Sequence, residues 1–326
     1  MSTPASTEIA ADEIATDQQI ASLSLADDAR DPDGFAQALG QSFEIYGFAV
    51  VRDHGVPAEV IARADRAARA FFALPEETKR AYHVPGTGGA RGYTPFGIET
   101  AKDATKSDLK EFWHVGRELP AGHDFERFMQ PNLWPAELAE FREAELALFD
   151  ALDAAGLRIL SAIARYLDLD PDFFVDTVRD GNSVLRLLHY PPVDPDAPGI
   201  RAGAHEDINT ITLLLGAEEA GLQLKLADGR WLPIAVSEGA LVVNIGDMLQ
   251  RLTNHRLKST THRVMNPPPE RRGISRYSMP FFLHFRPDYA IETLPGTIDA
   301  DHPNRYPDPI TAHDYLWQRL REIKLV

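Results

Sequence analysis

The sequence predicts an α+β chain in which a helical front half precedes a back half built of strands. Three observations support this prediction. Apolar residues recur with the 3.6-residue period of helices up to about residue 167. After Pro171 and Gly181 the chain changes to short, apolar, β-branched segments separated by turn residues. No long helical pattern interrupts these segments, and successive strands of this kind form an antiparallel barrel or a jelly roll.

Three helical segments are predicted in the front half. Residues 33–45 carry apolar side chains on one side, with Asp33 as the expected N-cap. Pro57 begins an alanine- and arginine-rich helix, since proline is favoured in the first helical turn. The longest helical pattern covers residues 135–167, and an interruption is expected near Gly156.

Strands account for the other predicted elements. A short strand over 47–52 follows the first helix, and the glycine-rich stretch 84–97 is expected to be irregular or an edge strand. The back half holds seven strand-like segments, at 183–190, 207–215, 221–226, 230–234, 240–245, 260–265 and 276–286. The chain is therefore expected to divide into a mobile acidic tail, a helical region with a few strands, a jelly-roll core and a C-terminal extension, over residues 1–17, 18–180, 181–290 and 291–326.

Composition limits the classes of function. A hydrophobic content of 44% with 25% charged residues is typical of a soluble globular protein. The net charge of −16 argues against a nucleic-acid-binding surface. No apolar run approaches the ~20 residues of a membrane span. The N-terminus lacks the basic start and apolar core of a signal peptide, so a cytoplasmic location without membrane contact is expected. The sequence predicts no particular oligomeric state.

The segment from Gly203 to Leu215 contains the first two candidate metal ligands. His205 and Asp207 open an apolar, β-branched run that indicates a buried strand. Because alternate side chains of a strand leave the same face, the imidazole and the carboxylate are expected to point together and to converge on one ion. The chain has no cysteine, so any metal must be held by nitrogen and oxygen ligands.

Two later segments add a third ligand and an anion-binding pair. His262 lies in another short strand-like stretch, which must end before the prolines 267–269. Two histidines and one carboxylate on one face of an octahedral ion are the ligand set of non-haem Fe(II) oxygenases, and they leave three positions open. Arg276 and Ser278 alternate on one strand face, and a guanidinium beside a hydroxyl is suited to a two-pronged contact with a carboxylate.

The order of these motifs resembles the isopenicillin N synthase-like branch of the 2-oxoglutarate and Fe(II)-dependent dioxygenases. The resemblance extends from about residue 18 to residue 320. In the back half it rests on His-x-Asp, the distant histidine and Arg-x-Ser, with Tyr190-Pro191 and Lys258-Ser259. In the front half it rests on Tyr46-Gly47-Phe48, Asp53-His54-Gly55-Val56, Phe71-Phe72-Ala73-Leu74-Pro75 and Arg91-Gly92-Tyr93.

This resemblance implies both the fold and the activity. The fold would be a double-stranded β-helix, or jelly-roll, core with the N-terminal helices packed around it. His205, Asp207 and His262 would bind Fe(II) as the catalytic centre. The enzyme would be a non-haem Fe(II) 2-oxoglutarate-dependent dioxygenase that uses O2 to oxidise, and by default to hydroxylate, a small-molecule substrate while 2-oxoglutarate becomes succinate and CO2.

The resemblance also implies a cosubstrate site. The far carboxylate of 2-oxoglutarate would meet Arg276 and Ser278, and Tyr190 matches a position that helps to hold it. Leu188 stands where the family often has an asparagine, which removes one polar contact. Two alternatives therefore stay open: an isopenicillin N synthase-like Fe(II) oxidase that does not use 2-oxoglutarate, and a catalytically silent metal-binding jelly roll.

Substrate contacts are expected in the front half, between Arg91 and His114, where the chain is rich in glycine, aromatic residues and cations. The three candidate residues are Arg91, Tyr93 and Phe96. Arg91 is the candidate for a substrate carboxylate or phenolate, because arginine stays charged in a partly dry pocket and can bind two oxygens.

Overall fold

The structure is a computed structural model that describes residues 13–85, 89–98, 108–192, 201–215, 221–234 and 239–322. Its helices are α1 (Pro32–Tyr46), α2 (Ala58–Phe72), α3 (Glu76–Arg80), α4 (Phe141–Tyr166), α5 (Phe173–Val178), α6 (Asp247–Leu252) and α7 (Ala312–Glu322). Its front strands are β1 (Ser22–Ser24), β2 (Phe48–Arg52), β3 (Gly92–Thr94) and β4 (Glu111–Gly116). The strands that follow are β5 (Val184–Tyr190), β6 (Ala202–His205), β7 (Ile211–Leu215), β8 (Leu222–Lys225), β9 (Trp231–Pro233), β10 (Leu241–Ile245), β11 (His262–Val264), β12 (Arg276–Ser278), β13 (Pro280–Leu283), β14 (Ala290–Ile291) and β15 (Ile310–Thr311).

Two sheets form a jelly roll. The larger sheet has nine strands in the order β1-β2-β10-β7-β13-β5-β4-β3, with β12 also paired to β5. The smaller sheet has four strands in the order β6-β11-β8-β9. Apart from β1 with β2, the strands of both sheets pair antiparallel. The expected jelly-roll core is confirmed, and it contains more and shorter strands than the sequence pattern indicated.

The middle strands of the larger sheet send alternate side chains to opposite sides, as the pleat of a strand requires. Trp113, Leu187 and Phe281 are fully buried in the main core, where α1, α2 and α4 cover the sheet. Phe112 and Leu188, each one position away, belong to a separate buried cluster on the other side. The side of the sheet that faces away from the helices is called the inner face below.

Apolar contacts close the two sheets on each other. A second core cluster contains side chains of both sheets: Phe48, Val50 and Val242 from the larger one, and Ala202, Leu222, Leu224, Leu232 and Val264 from the smaller one. This cluster fills one part of the space between the sheets. The remaining part, beside β4, β5 and β13, is lined mainly by polar and aromatic side chains.

Three details of the helices differ from expectation, and the first is that α4 begins at Phe141 and not at residue 135. Helix α1 begins at Pro32, and its N-cap is Asp31, whose carboxylate accepts from Gly34 N at 3.0 Å, rather than Asp33. Helix α4 is continuous through Gly156. An added Cβ at Gly156 would lie 2.5 Å from Leu283 Cδ1, so the glycine serves close packing of the helix on the sheet and does not interrupt the helix.

The front and back halves share one sheet, because β1 to β4 add to the strands of the back half. The expected boundary at residue 180 therefore lies between strands of one continuous sheet. Most of the predicted tail lies outside the described residues, but Ile14 pairs with Trp231 and Asp17 forms an ion pair with Arg230 at 2.8 Å. The mobile tail over residues 1–17 stays a prediction, and these two contacts are where its described end meets the rest of the chain. No helix in the described ranges is long and apolar enough to cross a bilayer.

Candidate active site

Two histidines and an aspartate converge between the sheets. His205 is the last residue of β6, His262 is the first residue of β11, and the two are Cα partners. Asp207 follows β6 in the connection to β7. Its Oδ1 lies 3.8 Å from His205 Nε2 and 3.9 Å from His262 Nε2, and the three ligand atoms lie within 4.8 Å of one another. Since metal–ligand bonds are about 2 Å long, one ion between these atoms can contact all three.

Hydrogen bonds set the orientation of both imidazoles. Nδ1 of His205 donates to the carbonyl of Gly203 at 2.8 Å, and Nδ1 of His262 donates to the carbonyl of Thr260 at 3.0 Å. A carbonyl oxygen can only accept, so in both rings Nδ1 carries the proton and Nε2 keeps its lone pair. Both free nitrogens therefore face Asp207 in the form that a metal requires.

Charge and hydrogen bonding prepare Asp207 as an anionic ligand. Its Oδ2 accepts from Thr212 Oγ1 at 2.5 Å and from Asn244 Nδ2 at 2.8 Å. Burial alone would raise the pKa of Asp207, but the two imidazoles and these hydrogen bonds outweigh it and lower the pKa. Burial, reinforced by His262, lowers the pKa of His205 to about 4, although 39% of its side chain is exposed. At neutral pH, Asp207 is ionised and His205 is neutral, the states that bind a divalent cation.

The secondary structure that carries His205 and Asp207 differs from the one expected. The predicted strand 207–215 begins only at Ile211, so the first two ligands are not alternate residues of one strand. Asp207 instead reaches the histidines from a loop, and its carboxylate is held by Thr212 on β7 and Asn244 on β10. Neither Thr212 nor Asn244 was predicted from the sequence to act at the site. Only the pairing of β10 with β7 brings them together.

Arg276, Ser278 and Tyr190 meet on neighbouring strands of the inner face. Arg276 is the Cα partner of Tyr190, and its guanidinium lies 5.0 Å from the centre of the tyrosine ring. Ser278 is the partner of Leu188, which packs with Phe112 and Tyr190. All of these side chains are buried. A buried guanidinium, with a serine and a tyrosine on the same pair of strands, is suited to bind one carboxylate.

The structure separates the three residues that were predicted to contact substrate. Arg91 is 4% exposed, and its guanidinium lies over Gly116, 2.0 Å from where a Cβ would stand. Tyr93 pairs with Trp113 and is buried with it on the helix side of the sheet, so it does not line the space between the sheets. Phe96 follows a short strand and is 44% exposed. Only Arg91 stays near the inner face.

Three further side chains on or next to the inner face were not predicted from the sequence: Arg186, Phe282 and His284. A fourth, His114, ends the segment in which substrate contacts were expected. A signal for two of them exists in retrospect, because Arg186 is four residues before Tyr190 on β5 and Phe282 is four residues after Ser278. Such even spacing places side chains on one face of a strand. Their proximity to one another depends on strand register, which spacing does not reveal.

The chain matches two family descriptions. The "non-haem dioxygenase in morphine synthesis N-terminal" family covers residues 19–137, and the "2OG-Fe(II) oxygenase superfamily" covers residues 181–285. A 2-oxoglutarate-Fe(II) type oxidoreductase of Emericella nidulans is 37% identical over 291 residues, which are 86% of this chain and 82% of that protein.

Solved structures show the same architecture. A 2OG-Fe(II) oxygenase family protein from Caulobacter crescentus is 59% identical, with a TM-score of 0.88 over 93% of this chain and 99% of that one. Full-length Neurospora crassa T7H, in complex with alpha-KG (2-oxoglutarate) and thymine, is 30% identical, with a TM-score of 0.82 over 95% of this chain and 99% of that one.

Proposed function

The chain belongs to the 2-oxoglutarate and Fe(II)-dependent oxygenase superfamily, and from this premise we propose that it hydroxylates a small organic substrate at the centre formed by His205, Asp207 and His262. It is a non-haem Fe(II) 2-oxoglutarate-dependent dioxygenase, an oxidoreductase that forms succinate and CO2. The observation that carries the proposal is the convergence of two free imidazole nitrogens on one carboxylate oxygen.

The donor set fits Fe(II). Two neutral nitrogens and one anionic oxygen on one side of an ion leave the opposite side open, which is the arrangement found in oxygenases of this kind. When bound, the iron would supply the place where O2 is reduced as 2-oxoglutarate loses CO2. The part of the protein is to hold the ligands, orient both organic molecules and exclude water.

Arg276, Ser278 and Tyr190 are proposed to hold the far carboxylate of 2-oxoglutarate. The support is their burial and the contact of the arginine with the tyrosine ring. Leu188 fills the position of the missing asparagine with an apolar side chain against Phe112. The proposed cosubstrate pocket therefore keeps the guanidinium of Arg276 and the hydroxyls of Ser278 and Tyr190. The apolar side chain of Leu188 lowers the local dielectric, which strengthens each remaining polar contact.

Anaerobic titration tests this function directly. Adding 2-oxoglutarate to the Fe(II)-loaded enzyme is expected to produce the weak visible charge-transfer band of a chelate. Succinate is the matched control, because it has both carboxylates but no keto oxygen and cannot chelate in this way. On admission of air, the enzyme should convert 2-oxoglutarate to succinate and CO2. An enzyme with iron bound that gives neither band nor succinate would contradict the proposal.

We also propose that Arg91 contributes to substrate binding. Its guanidinium bonds only to neutral groups, the carbonyl of Ala90 at 2.7 Å and Asn182 Oδ1 at 3.1 Å. Burial lowers the pKa of Arg91 to about 10, which still leaves it charged at neutral pH. Among the residues that the structure describes, no carboxylate pairs with it, so an anionic substrate would supply the missing partner.

Replacing Arg91 with alanine should therefore weaken substrate action. Substrates can be found among small carboxylates and phenols as compounds that stimulate 2-oxoglutarate turnover by the wild-type enzyme. In Arg91→Ala the concentration needed for half-maximal stimulation is expected to rise about tenfold or more, since a charged hydrogen bond is lost. Arg52→Ala, at a half-exposed arginine, is the control. Equal stimulation in wild type and Arg91→Ala would remove Arg91 from the substrate site.

A further inference from the structure

Three neighbouring strands carry a row of polar and aromatic side chains on the helix side of the larger sheet. Glu111 on β4 is the Cα partner of His189 on β5, and His189 is the partner of Tyr277 on β12. Both chain neighbours of His189 belong to the buried cluster on the inner face, so its own side chain lies on the opposite side of the sheet. Its ring packs there against Phe72, with ring centres 5.3 Å apart. We call Glu111, His189 and Tyr277 the cross-strand row, and the proposed function uses none of them.

Glu111 is a buried carboxylate that accepts hydrogen bonds from three side chains. Lys79 Nζ and His189 Nδ1 each donate to it at 2.7 Å, and the hydroxyl of Tyr93 donates as well. Burial alone would raise the pKa of Glu111, but these hydrogen bonds, that from His189 foremost, outweigh it and lower the pKa. Because an ionised carboxylate can only accept, Nδ1 of His189 carries a proton. Glu111 therefore fixes one edge of the His189 ring.

The other edge and the face of the His189 ring contact both chain neighbours of Arg276. Nε2 of His189 lies 3.1 Å from Ser275 Oγ, within hydrogen-bond distance. The ring stacks on that of Tyr277, with centres 4.6 Å apart and planes 12° apart. On Tyr277 the guanidinium of Arg69 also lies 4.2 Å from the ring centre. Because Ser275 and Tyr277 directly precede and follow Arg276, these contacts hold the backbone on both sides of it.

The register of β12 depends on such side-chain contacts because the strand is short. It contains three residues and, within the described part of the chain, pairs only with β5. Since side chains alternate along a strand, a shift of β12 by one residue would turn Arg276 and Ser278 from the inner face to the helix side. The hydrogen bond to Ser275 and the stack on Tyr277 both oppose this shift.

We propose that His189 is a positioning residue for the cosubstrate. It holds β12 in the register that presents Arg276 to the far carboxylate of 2-oxoglutarate, and Glu111 fixes His189 in this role. This inference rests on the proposed function, because it takes Arg276 as the cosubstrate contact, and it adds a role for buried groups on the opposite side of the sheet. Tyr93, which was expected to contact substrate, instead serves this row as a donor to Glu111.

Binding of two oxo acids to the Fe(II)-loaded enzyme, without O2, tests the proposal. 2-Oxoglutarate is compared with 2-oxovalerate, which has the same chelating end and a methyl group in place of the far carboxylate. The visible charge-transfer band reports the affinity for each acid, and the ratio of the two affinities measures the contribution of the far carboxylate. Wild type is expected to bind 2-oxoglutarate about 100-fold more tightly, because 2-oxovalerate makes no hydrogen bonds to the guanidinium.

Two variants remove the contacts of His189 in steps. Ser275→Ala removes the partner of Nε2 and should lower the affinity ratio about threefold. His189→Phe keeps an aromatic ring against Tyr277 but loses both hydrogen bonds, and it should lower the ratio about tenfold. In both variants the iron content and the affinity for 2-oxovalerate should stay within about twofold of wild type. The double variant should match His189→Phe alone, because Ser275 acts through His189.

Each variant has a matched control elsewhere in the fold. Ser22→Ala changes an exposed serine in another three-residue strand, β1, at the far edge of the same sheet. His54→Phe changes a histidine that is 6% exposed and also makes two hydrogen bonds, to the carbonyl of Gly239 at 2.9 Å and from the N–H of Val56 at 3.1 Å. Both controls should keep the wild-type affinity ratio. Circular dichroism confirms that each variant is folded.

The results separate the two proposals. A wild-type enzyme with no band, or with equal affinity for both acids, would count against the proposed function and would overturn this inference as well. With the wild-type preference present, three outcomes overturn the role of His189 alone: an unchanged ratio in folded His189→Phe or in Ser275→Ala, an equal loss of affinity for both acids, or the same fall in the ratio in His54→Phe. Ser275→Ala decides the question even if His189→Phe does not fold, because it removes one hydroxyl from a half-buried residue.

Discussion

Replacing Asp207 with alanine is expected to abolish stoichiometric Fe(II) binding and 2-oxoglutarate turnover. The carboxylate is the only anionic ligand of the candidate centre, and both imidazole nitrogens face it. Loss of an outer partner of a metal ligand typically costs about 10–100-fold in affinity. Loss of the ligand itself should exceed that range. His205→Ala and His262→Ala should have the same effect, since two protein ligands do not define one face of an octahedral ion.

The measurement is the iron content of anaerobically loaded protein after desalting, together with succinate production in air. Glu206→Ala is the matched control, because Glu206 lies between two of the ligands, is exposed, and accepts a hydrogen bond from Thr261 at 2.8 Å. This variant should retain iron. Full iron occupancy and turnover in all three ligand variants would show that the metal is bound elsewhere.

Changing Arg276 to lysine is expected to raise the 2-oxoglutarate concentration needed for half-maximal turnover about 100-fold, while iron content stays unchanged. Lysine keeps the positive charge but lacks the planar pair of N–H groups that meets both oxygens of a carboxylate. It would also lose the stacking of the guanidinium near Tyr190. The effect should therefore fall on cosubstrate binding and not on the metal centre, which Arg276 does not contact.

Succinate production as a function of 2-oxoglutarate concentration measures this effect. Arg286→Lys is a demanding control, because Arg286 also makes a two-pronged ion pair, with Asp288 at 2.6 and 2.8 Å, but at the surface. It should behave as wild type. An Arg276→Lys enzyme with an ordinary 2-oxoglutarate requirement would mean that the cosubstrate carboxylate binds to another cation.

The sequence was sufficient to predict the three candidate metal ligands, but it was not sufficient to predict the local geometry that brings them together. The order of His205, Asp207 and His262 was sufficient to place them in one centre, although the first two do not share a strand. An irregular connection after His205 and a carboxylate held by Thr212 lead to the same convergence. The order of the motifs therefore predicts which residues meet, but it does not predict the local backbone structure that brings them together.

The residues that were predicted to contact substrate depend on features of the fold that the sequence does not reveal. Arg91 and Tyr93 are two positions apart, and spacing alone would place them on one side of a strand. Strand β3 begins only at Gly92, so the two residues do not share a strand face. Tyr93 points into the helix-covered core while Arg91 lies over Gly116. The contact of Arg186 with His114 depends on the register of β4 against β5, with these two residues as Cα partners. Register depends on pairing across the whole sheet.

The two-sided character of β4, β5 and β13 has a consequence for the diversification of this enzyme. Phe112, Arg186 and Phe282 lie on the inner face, while Trp113 and Leu187, each next to one of them, fill the main core. The main core beneath the helices does not include Arg186 or Phe282, so a substitution of either opens no void there. Phe112 is itself buried in a separate cluster with Leu188 and Tyr190, so the inner-face positions that can be changed at little cost to folding are the partly exposed Arg186 and Phe282.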